Sequence, residues 1–247
     1  MSVLVLLLSG PLQSWGDASR FSRRSTRHEP TKSGVVGLLA SALGRTREES
    51  VDDLAQLELA VRVDQRGGVM RDFQTAHPEG KSALPISSRY YLSDAKFAVA
   101  LGGPEALVAE LASAVQHPCW PLYLGRRSCP PDRPIFVRVD CESDDPRTVL
   151  ANEPWHAAEH YRRFHGADRL EMVCDGRDGE SCESQADVPL SFSLTGRRYA
   201  CRPVTRYTIV IPGGAELPHS DESVDQDDVR SHAGFAPPAD HNPLSVL

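Results

Sequence analysis

The sequence has no stretch able to cross a bilayer. Its leading aliphatic run, Val3 to Leu8, is far shorter than the ~20 residues a spanning helix needs, with no basic segment before it and no small-residue cleavage site after it. The run is therefore expected to be a buried strand in a cytoplasmic protein with no membrane partner. Close-paired cysteines are also missing. Cys119, Cys129, Cys141, Cys174, Cys182 and Cys201 include no C-x-x-C spacing, which argues against a disulfide framework and against a zinc ribbon. Aromatic residues make up 6% and charged residues 25%, the profile of an ordinary globular chain, so composition excludes neither an enzyme nor a binding module. At 247 residues the chain can form one large domain or two small ones.

Recognisable catalytic signatures are equally scarce. Pro30-Thr31-Lys32-Ser33-Gly34 ends like a phosphate-binding loop but lacks the upstream glycines, which argues against nucleotide hydrolysis. His156-Ala157-Ala158-Glu159-His160 fits the H-x-x-E-H metalloprotease spacing, yet no downstream carboxylate on a structured helix completes a ligand set, and helix-surface histidines fit better. A metal-independent endoribonuclease would need a base near a ribose 2′-hydroxyl and a cation for the developing charge. His28, His77, Tyr123 and Lys32 supply the residue types without a recognisable spacing.

The formal charge of −7 is unevenly spread. From Glu216 onward the chain carries Glu216, Asp221, Glu222, Asp225, Asp227, Asp228 and Asp240 against Arg230 alone. This acidic, proline-bearing stretch has little periodic apolar pattern and cannot offset the entropy of ordering, so residues 215–247 are expected to be a disordered tail. In contrast, Arg20, Arg23, Arg24, Arg27 and Lys32 crowd one segment opposed by Glu29. A phosphate responds to local charge, although a solvated basic loop explains this run equally well.

Ser2 to Leu8 reads as a central strand. Thr31 can cap a helix whose apolar positions Val35, Leu38, Leu39, Ala42 and Leu43 recur at helical spacing, with Gly44 as its stop. Thr46 and Glu49 form a possible capping box for a second short helix to about Leu57. Strands are expected at Leu59 to Val63, Ala95 to Leu101 and Ile135 to Val139. Between the last two, Pro104 and Glu105 open a helix bearing Leu107, Val108, Leu111 and Val115, which Pro118 prevents from continuing. This order is the βαββαβ pattern of an α+β, ferredoxin-like fold, the architecture of RRM-type RNA-binding modules, with both helices on one sheet face. The expected layout is a ferredoxin-like domain at 1–144, a β-rich extension at 145–214 with strands at Leu170 to Cys174, Leu190 to Leu194 and Arg206 to Ile211, and the tail. Residues 67–89, too long for a tight hairpin, should protrude from the first domain, with Met70 to Ala76 pairing back as an extended finger.

Two loops carry the candidate chemistry. Gly10-Pro11-Leu12-Gln13-Ser14-Trp15-Gly16 follows the first strand, its glycines permitting close backbone approach, Gln13 and Ser14 supplying donors, and Trp15 offering either a stacking face or a cover for the sheet edge. Lys32, Ser33 and the unpaired backbone N–H groups of the first helix could meet a phosphate. Tyr123-Leu124-Gly125-Arg126-Arg127-Ser128-Cys129-Pro130 sets paired arginines beside a glycine and an aromatic, a combination that binds phosphates bidentately and stacks on bases.

Together with Arg71-Asp72-Phe73-Gln74-Thr75, these motifs in this order over residues 1 to about 140 resemble the CasD family, the subunit of the type I-E CRISPR complex Cascade that holds the 5′ handle of the CRISPR RNA (crRNA). The resemblance implies a RAMP-superfamily fold that binds the handle, caps the CasC backbone filament and neighbours the large CasA subunit. It also implies that the 67–89 segment is a thumb placed between guide and target DNA. On this reading Gln13, Ser14, Trp15, Gly16, Arg20, Lys32, Ser33, Tyr123, Gly125, Arg126, Arg127, Ser128 and Cys129 face RNA, while Arg71, Asp72, Phe73, Gln74, Thr75, His77 and Arg89 belong to the thumb. No catalytic residue, metal or cofactor is expected, and cutting of precursor RNA falls to the separate CasE subunit. Handle-binding relatives in type I-C systems are themselves endoribonucleases, which keeps cleavage as the competing role.

Overall fold

The computed structural model describes residues 1–16, 23–75, 79–80, 82, 85–165 and 169–211. Its elements follow the order β1 (Ser2–Ser9), β2 (Leu12–Gln13), β3 (Arg23–Arg24), α1 (Lys32–Ala42), α2 (Asp52–Ala55), β4 (Glu58–Gln65), β5 (Gly68–Gln74) and β6 (Ser87–Ser93). They continue with β7 (Lys96–Gly103), α3 (Glu105–Gln116), β8 (Phe136–Asp140), α4 (Pro146–Asn152), α5 (Glu159–His165), β9 (Arg169–Asp175), β10 (Glu183–Ser191) and β11 (Arg198–Val210). The chain is a mixed α+β protein built on a seven-stranded antiparallel sheet of order β10-β11-β9-β4-β7-β1-β8.

The aliphatic run of β1 is buried throughout because both sheet faces are covered. Leu4, Leu6 and Leu8 join Val35, Leu39, Val108 and Leu111 of α1 and α3 in the main core. Val3 and Val5 face the opposite way, toward Val149 and Leu150 of α4 and Met172 of β9. Thr31 caps α1 by accepting a bond from the Gly34 N–H (3.2 Å). Gly44 leaves the helix at φ +78°, where a side chain would meet the Cys119 sulfur.

The strands of 145–214 do not stand apart. Pairing of β9 with β4, Ala60 opposite Cys174, continues the main sheet into β11 and β10. Ions fasten this added edge to α1: Asp187 accepts from the Lys32 backbone N–H (2.8 Å) and from Arg202, while Asp175 accepts from Lys32 Nζ (2.8 Å) and Arg202. The same residues explain a corrected boundary. Expected at Leu190 to Leu194, the strand runs instead over Glu183–Ser191, because its inward positions Gln185 and Asp187 are polar and hide the apolar alternation.

Two further expectations are corrected. The Thr46 N–H does donate a capping bond to Glu49 Oε2 (2.6 Å), but the chain turns there and helix forms only over Asp52–Ala55. His156 lies ahead of α5, bonded to Glu153 (3.1 Å), so it and His160 do not sit one turn apart on a helix. Asp64 organises that segment. It accepts from the His156 N–H and binds the fully buried Arg62 bidentately, while Arg62 also donates to the Leu150, Glu153 and Pro154 carbonyls at the end of α4.

A second, smaller sheet stands on the first. β5 and β6 form an antiparallel hairpin over residues 68–93, and β2 and β3 pair with the other edge of β6. The proposed 215–247 tail lies outside the described residues.

Candidate nucleic-acid interface

The two sequence loops are joined to each other. Ser14 N–H donates to the Leu124 carbonyl (3.0 Å), Leu124 N–H to the Cys129 carbonyl (2.7 Å) and Cys129 N–H to the Arg126 carbonyl (2.9 Å). Gly125 makes the junction possible: at φ +89° an added Cβ would lie 1.8 Å from the Ser14 carbonyl oxygen. Gly10 is similarly crowded, with 2.8 Å to the Pro130 carbonyl oxygen.

Several candidate residues turn out to be the inside of this assembly. Gln13 is fully buried, donating to the Leu8 and Ala95 carbonyls (3.1 and 2.7 Å) while its Oε1 accepts from Trp15 Nε1 (3.0 Å). Trp15 is 1% exposed and packs on Gly34, so its ring covers the core and is not an open stacking face. Cys129 is buried, and burial pushes its thiol pKa up. The helix N-terminus is also occupied: Asp187 already takes the Lys32 N–H, and Asp175 neutralises Lys32 Nζ. Lys32 and Ser33 are buried there, which corrects the expected phosphate site, whose place the chain fills with its own carboxylates. At Gly16 an added Cβ would meet the Ser25 carbonyl oxygen at 3.6 Å. Arg20 and His77 lie outside the described residues.

What remains exposed gathers around β6. Cross-strand pairing puts Arg23, Arg71, Phe73 and Tyr90 on one face of the small sheet, with the Arg23 guanidinium 5.3 Å from the Tyr90 ring and Phe73 68% exposed. Arg24, Arg89 and Tyr91 share the other face. Arg126 crosses to it, stacking 4.7 Å from the Tyr91 ring and donating to the Tyr90 and Arg24 carbonyls (3.2 and 3.0 Å). Arg127 is exposed over Tyr123 at 6.0 Å. Burial raises the Tyr91 phenol, but hydrogen bonds with Ser128, Arg126 and Arg89 outweigh it and hold the pKa below its ordinary value. Arg71 donates to Ser88 (3.1 Å), Asp72 accepts from Gln74 (2.9 Å) and Ser87 reaches the Gln74 carbonyl (3.1 Å), stiffening the hairpin before Thr75.

Many arginines elsewhere in the chain are neutralised by its own carboxylates. Arg27, Arg45, Arg62, Arg66, Arg138, Arg147, Arg177, Arg202 and Arg206 each meet a carboxylate. Among the described residues, no carboxylate forms an ion pair with Arg23, Arg24, Arg71, Arg89, Arg126 or Arg127. Six guanidinium groups interleaved with Tyr90, Tyr123 and Phe73, and footed on the buried Tyr91, form a surface suited to phosphates and bases. Sequence reading passed over Tyr90 and Tyr91 and did not select Arg23 and Arg24. The run Arg89-Tyr90-Tyr91 was the available signal.

Fold and site together define a class: an α+β protein on one large antiparallel sheet, carrying a cationic, aromatic surface on a small second sheet. Comparison with known proteins makes this particular. Residues 3–205 match the model of the CRISPR-associated protein family Cas5, and the chain belongs to that family. It is 37% identical over 172 residues to the CRISPR system Cascade subunit CasD of Escherichia coli (strain K12), covering 61% of this chain and 76% of the relative. A chain of a solved CRISPR RNA-guided surveillance complex superposes with TM-score 0.71 at 31% identity, covering 85% of this chain and 91% of that one. A crystal structure of a Cas protein does so at 0.65 and 37% identity, covering 85% and 97%.

Proposed function

We propose that this protein is a non-catalytic subunit of a Cascade-type, RNA-guided CRISPR surveillance complex and that it holds the 5′ handle of the crRNA. The observation that carries this reading is the set of six arginines that have no carboxylate partner among the described residues, around Tyr90, Tyr91 and Tyr123. An unneutralised guanidinium cluster is costly by mutual repulsion unless an anion joins it. Handle contacts are assigned to Arg23, Arg24, Arg89, Arg126, Arg127 and Ser128, while Gln13, Ser14, Trp15, Gly125 and Cys129 position them.

The strand order β4-β7-β1-β8 with α1 and α3 against one face supports reading the central region as the ferredoxin-like core of a RAMP protein. The β5–β6 hairpin, bearing Arg71 and exposed Phe73, then serves as the thumb at the guide–target duplex. Partners are the crRNA, the CasC filament that this subunit caps, the CasA subunit and, through the assembly, target DNA. The expected setting is the cytoplasm; among the described residues no helix is long and apolar enough to cross a membrane.

Purification with its native partners tests the reading. The crRNA should co-purify with its 5′ end protected from nuclease, and a complex lacking this chain should lose that protection. Site-specific cutting of labelled repeat RNA by the pure protein in EDTA would instead assign the endoribonuclease role.

A further inference from the structure

Beneath the arginine surface, three polar side chains converge on one buried phenol. Tyr91 is 3% exposed and its ring belongs to the main core, while its hydroxyl has Ser128, Arg126 and Arg89 as hydrogen-bond partners. A hydroxyl donates one bond and accepts two, and a guanidinium can only donate. The Tyr91 oxygen therefore accepts from Arg89 and Arg126 and gives its own proton to Ser128 Oγ, which fills its capacity.

A shared acceptor fixes the two arginines relative to each other. Donor atoms bonded to one oxygen lie no more than about 6 Å apart, two hydrogen-bond lengths. Arg126 is held further, stacked 4.7 Å from the Tyr91 ring centre and bonded to the Tyr90 and Arg24 carbonyls, so the remaining N–H groups of its fork are free for a ligand. Arg89 pairs with no carboxylate among the described residues, and its Nε is enclosed without a partner, so packing and the phenol hold this guanidinium in place. Two positive charges are thus kept close together and pre-oriented.

Resting on the RNA-holding reading and deepening it, we infer that Tyr91 is a positioning residue that holds Arg89 and Arg126 in step with two consecutive phosphates of the bound strand. Phosphates along one strand follow each other at about 3.4 Å of axis when the bases stack and at wider spacing when the strand is drawn out, which matches a donor pair of this separation. Two phosphates also balance two guanidinium charges. Because the side chains are already ordered, little rotamer entropy is lost when the strand arrives. Arg23 and Arg127 lie over other rings, Tyr90 and Tyr123, and act independently of this pair.

The phenol also reports occupancy. Burial raises its pKa, but Ser128, Arg126 and Arg89 outweigh burial and hold it below the ordinary value. The charged and titratable groups on the elements around it are Arg24 of β3, Asp72 of β5, which is bonded to Gln74, Arg89 of its own strand, and Arg126 and buried Cys129 of the loop. Bound phosphates draw on the same guanidinium groups and so raise the phenol pKa; by reciprocity, ionisation of Tyr91 weakens binding.

The test titrates the full-length protein with an oligonucleotide of the sequence at the 5′ end of the co-purified crRNA, its phosphates replaced one at a time by uncharged methylphosphonates. At two adjacent positions the replacement should cost roughly 10- to 150-fold in affinity, the range of a hydrogen bond to a charged group. Arg89→Ala should remove the penalty at one of them and Arg126→Ala at the other. Tyr91→Phe, which keeps the ring, should melt with the wild type, reduce both penalties together and leave every other position unchanged. In an ultraviolet pH titration, the first tyrosine to ionise in the free protein should move to higher pH when RNA binds and be missing from Tyr91→Phe. Arginine variants that act at positions that are not adjacent, or a Tyr91→Phe profile identical to wild type, overturn the positioning role, and a salt slope still flattened by Arg127→Ala then leaves the RNA-holding reading standing. No RNA binding at all overturns both.

Discussion

Replacing Arg126 and Arg127 by alanine should flatten the salt dependence of RNA binding by a calculable amount. If each of the five arginines assigned to the handle displaces counterions from one phosphate, a single-stranded ligand gives a log–log slope of about −0.7 per contact, or about −3.5 in all. Raising salt from about 50 to about 200 mM would then weaken the wild type roughly 130-fold, and the double variant, at about −2.1, roughly 20-fold. Arg126 also ties its loop to the Tyr90 and Arg24 carbonyls, so losing it can loosen the loop as well as remove charge. Arg127 has no such bond and lies exposed over Tyr123, which makes Arg127→Ala the cleaner measurement. Its slope should be about −2.8, at unchanged melting temperature. Fluorescence anisotropy titrations across that salt range give these slopes directly. A slope identical to wild type in both variants would show that these arginines touch no phosphate.

Gly125→Ala places a side chain in the left-handed region and against the Ser14 carbonyl. It should cost at least about 1–2 kcal/mol and lower Tm by roughly 2–8 °C in a thermal melt; an unchanged Tm would mean the two loops are not locked there. Asp187→Ala takes from the buried Arg202 one of its two carboxylates, Asp175 remaining, and leaves the Lys32 N–H at the start of α1 unpaired, a loss of about 1–3 kcal/mol and roughly 2–12 °C in Tm, and an unchanged Tm would refute it. Glu153→Gln tests acid stability. Burial raises this carboxyl, but bonds with His156 and Arg138 outweigh it and hold the pKa below the ordinary range. Because the folded pKa is the lower one, the wild-type advantage is full above the unfolded value of about 4.3 and disappears as pH falls through the folded value. Urea midpoints should therefore separate at neutral pH and converge in acid, and a constant gap would contradict the assignment.

Elements with strong local signals were legible in the sequence. β1 announced itself as an unbroken aliphatic run, α1 through Thr31 and Gly44, and α3 through its bracketing prolines, because each depends on residues within a turn or two. β10 was misplaced since its buried positions are polar, and their partners Lys32 and Arg202 cannot be read from alternation. The same distance effect decided the site. Nothing near Lys32 reveals that Asp175 and Asp187, more than a hundred residues later, will cancel its charge, so its residue type suggested a phosphate ligand. Arg126 and Arg127 were found because their neighbours in sequence are also their neighbours in space. Tyr90 and Tyr91 fell just past the expected thumb boundary at Arg89.

The placement of β1 between β7 and β8 has a consequence for synthesis. The strand leaves the ribosome well before its two partners, since β7 begins only at Lys96 and β8 ends at Asp140. At about 5–20 residues per second, six consecutive aliphatic side chains wait on the order of ten seconds for their partners. During that interval the nascent chain presents an unpaired, β-prone segment, the kind that associates with its own copies. Holding that strand apart until β8 emerges is a task for the ribosome surface or a chaperone. The yield of folded protein should therefore respond to elongation rate more than to the stability of the finished sheet.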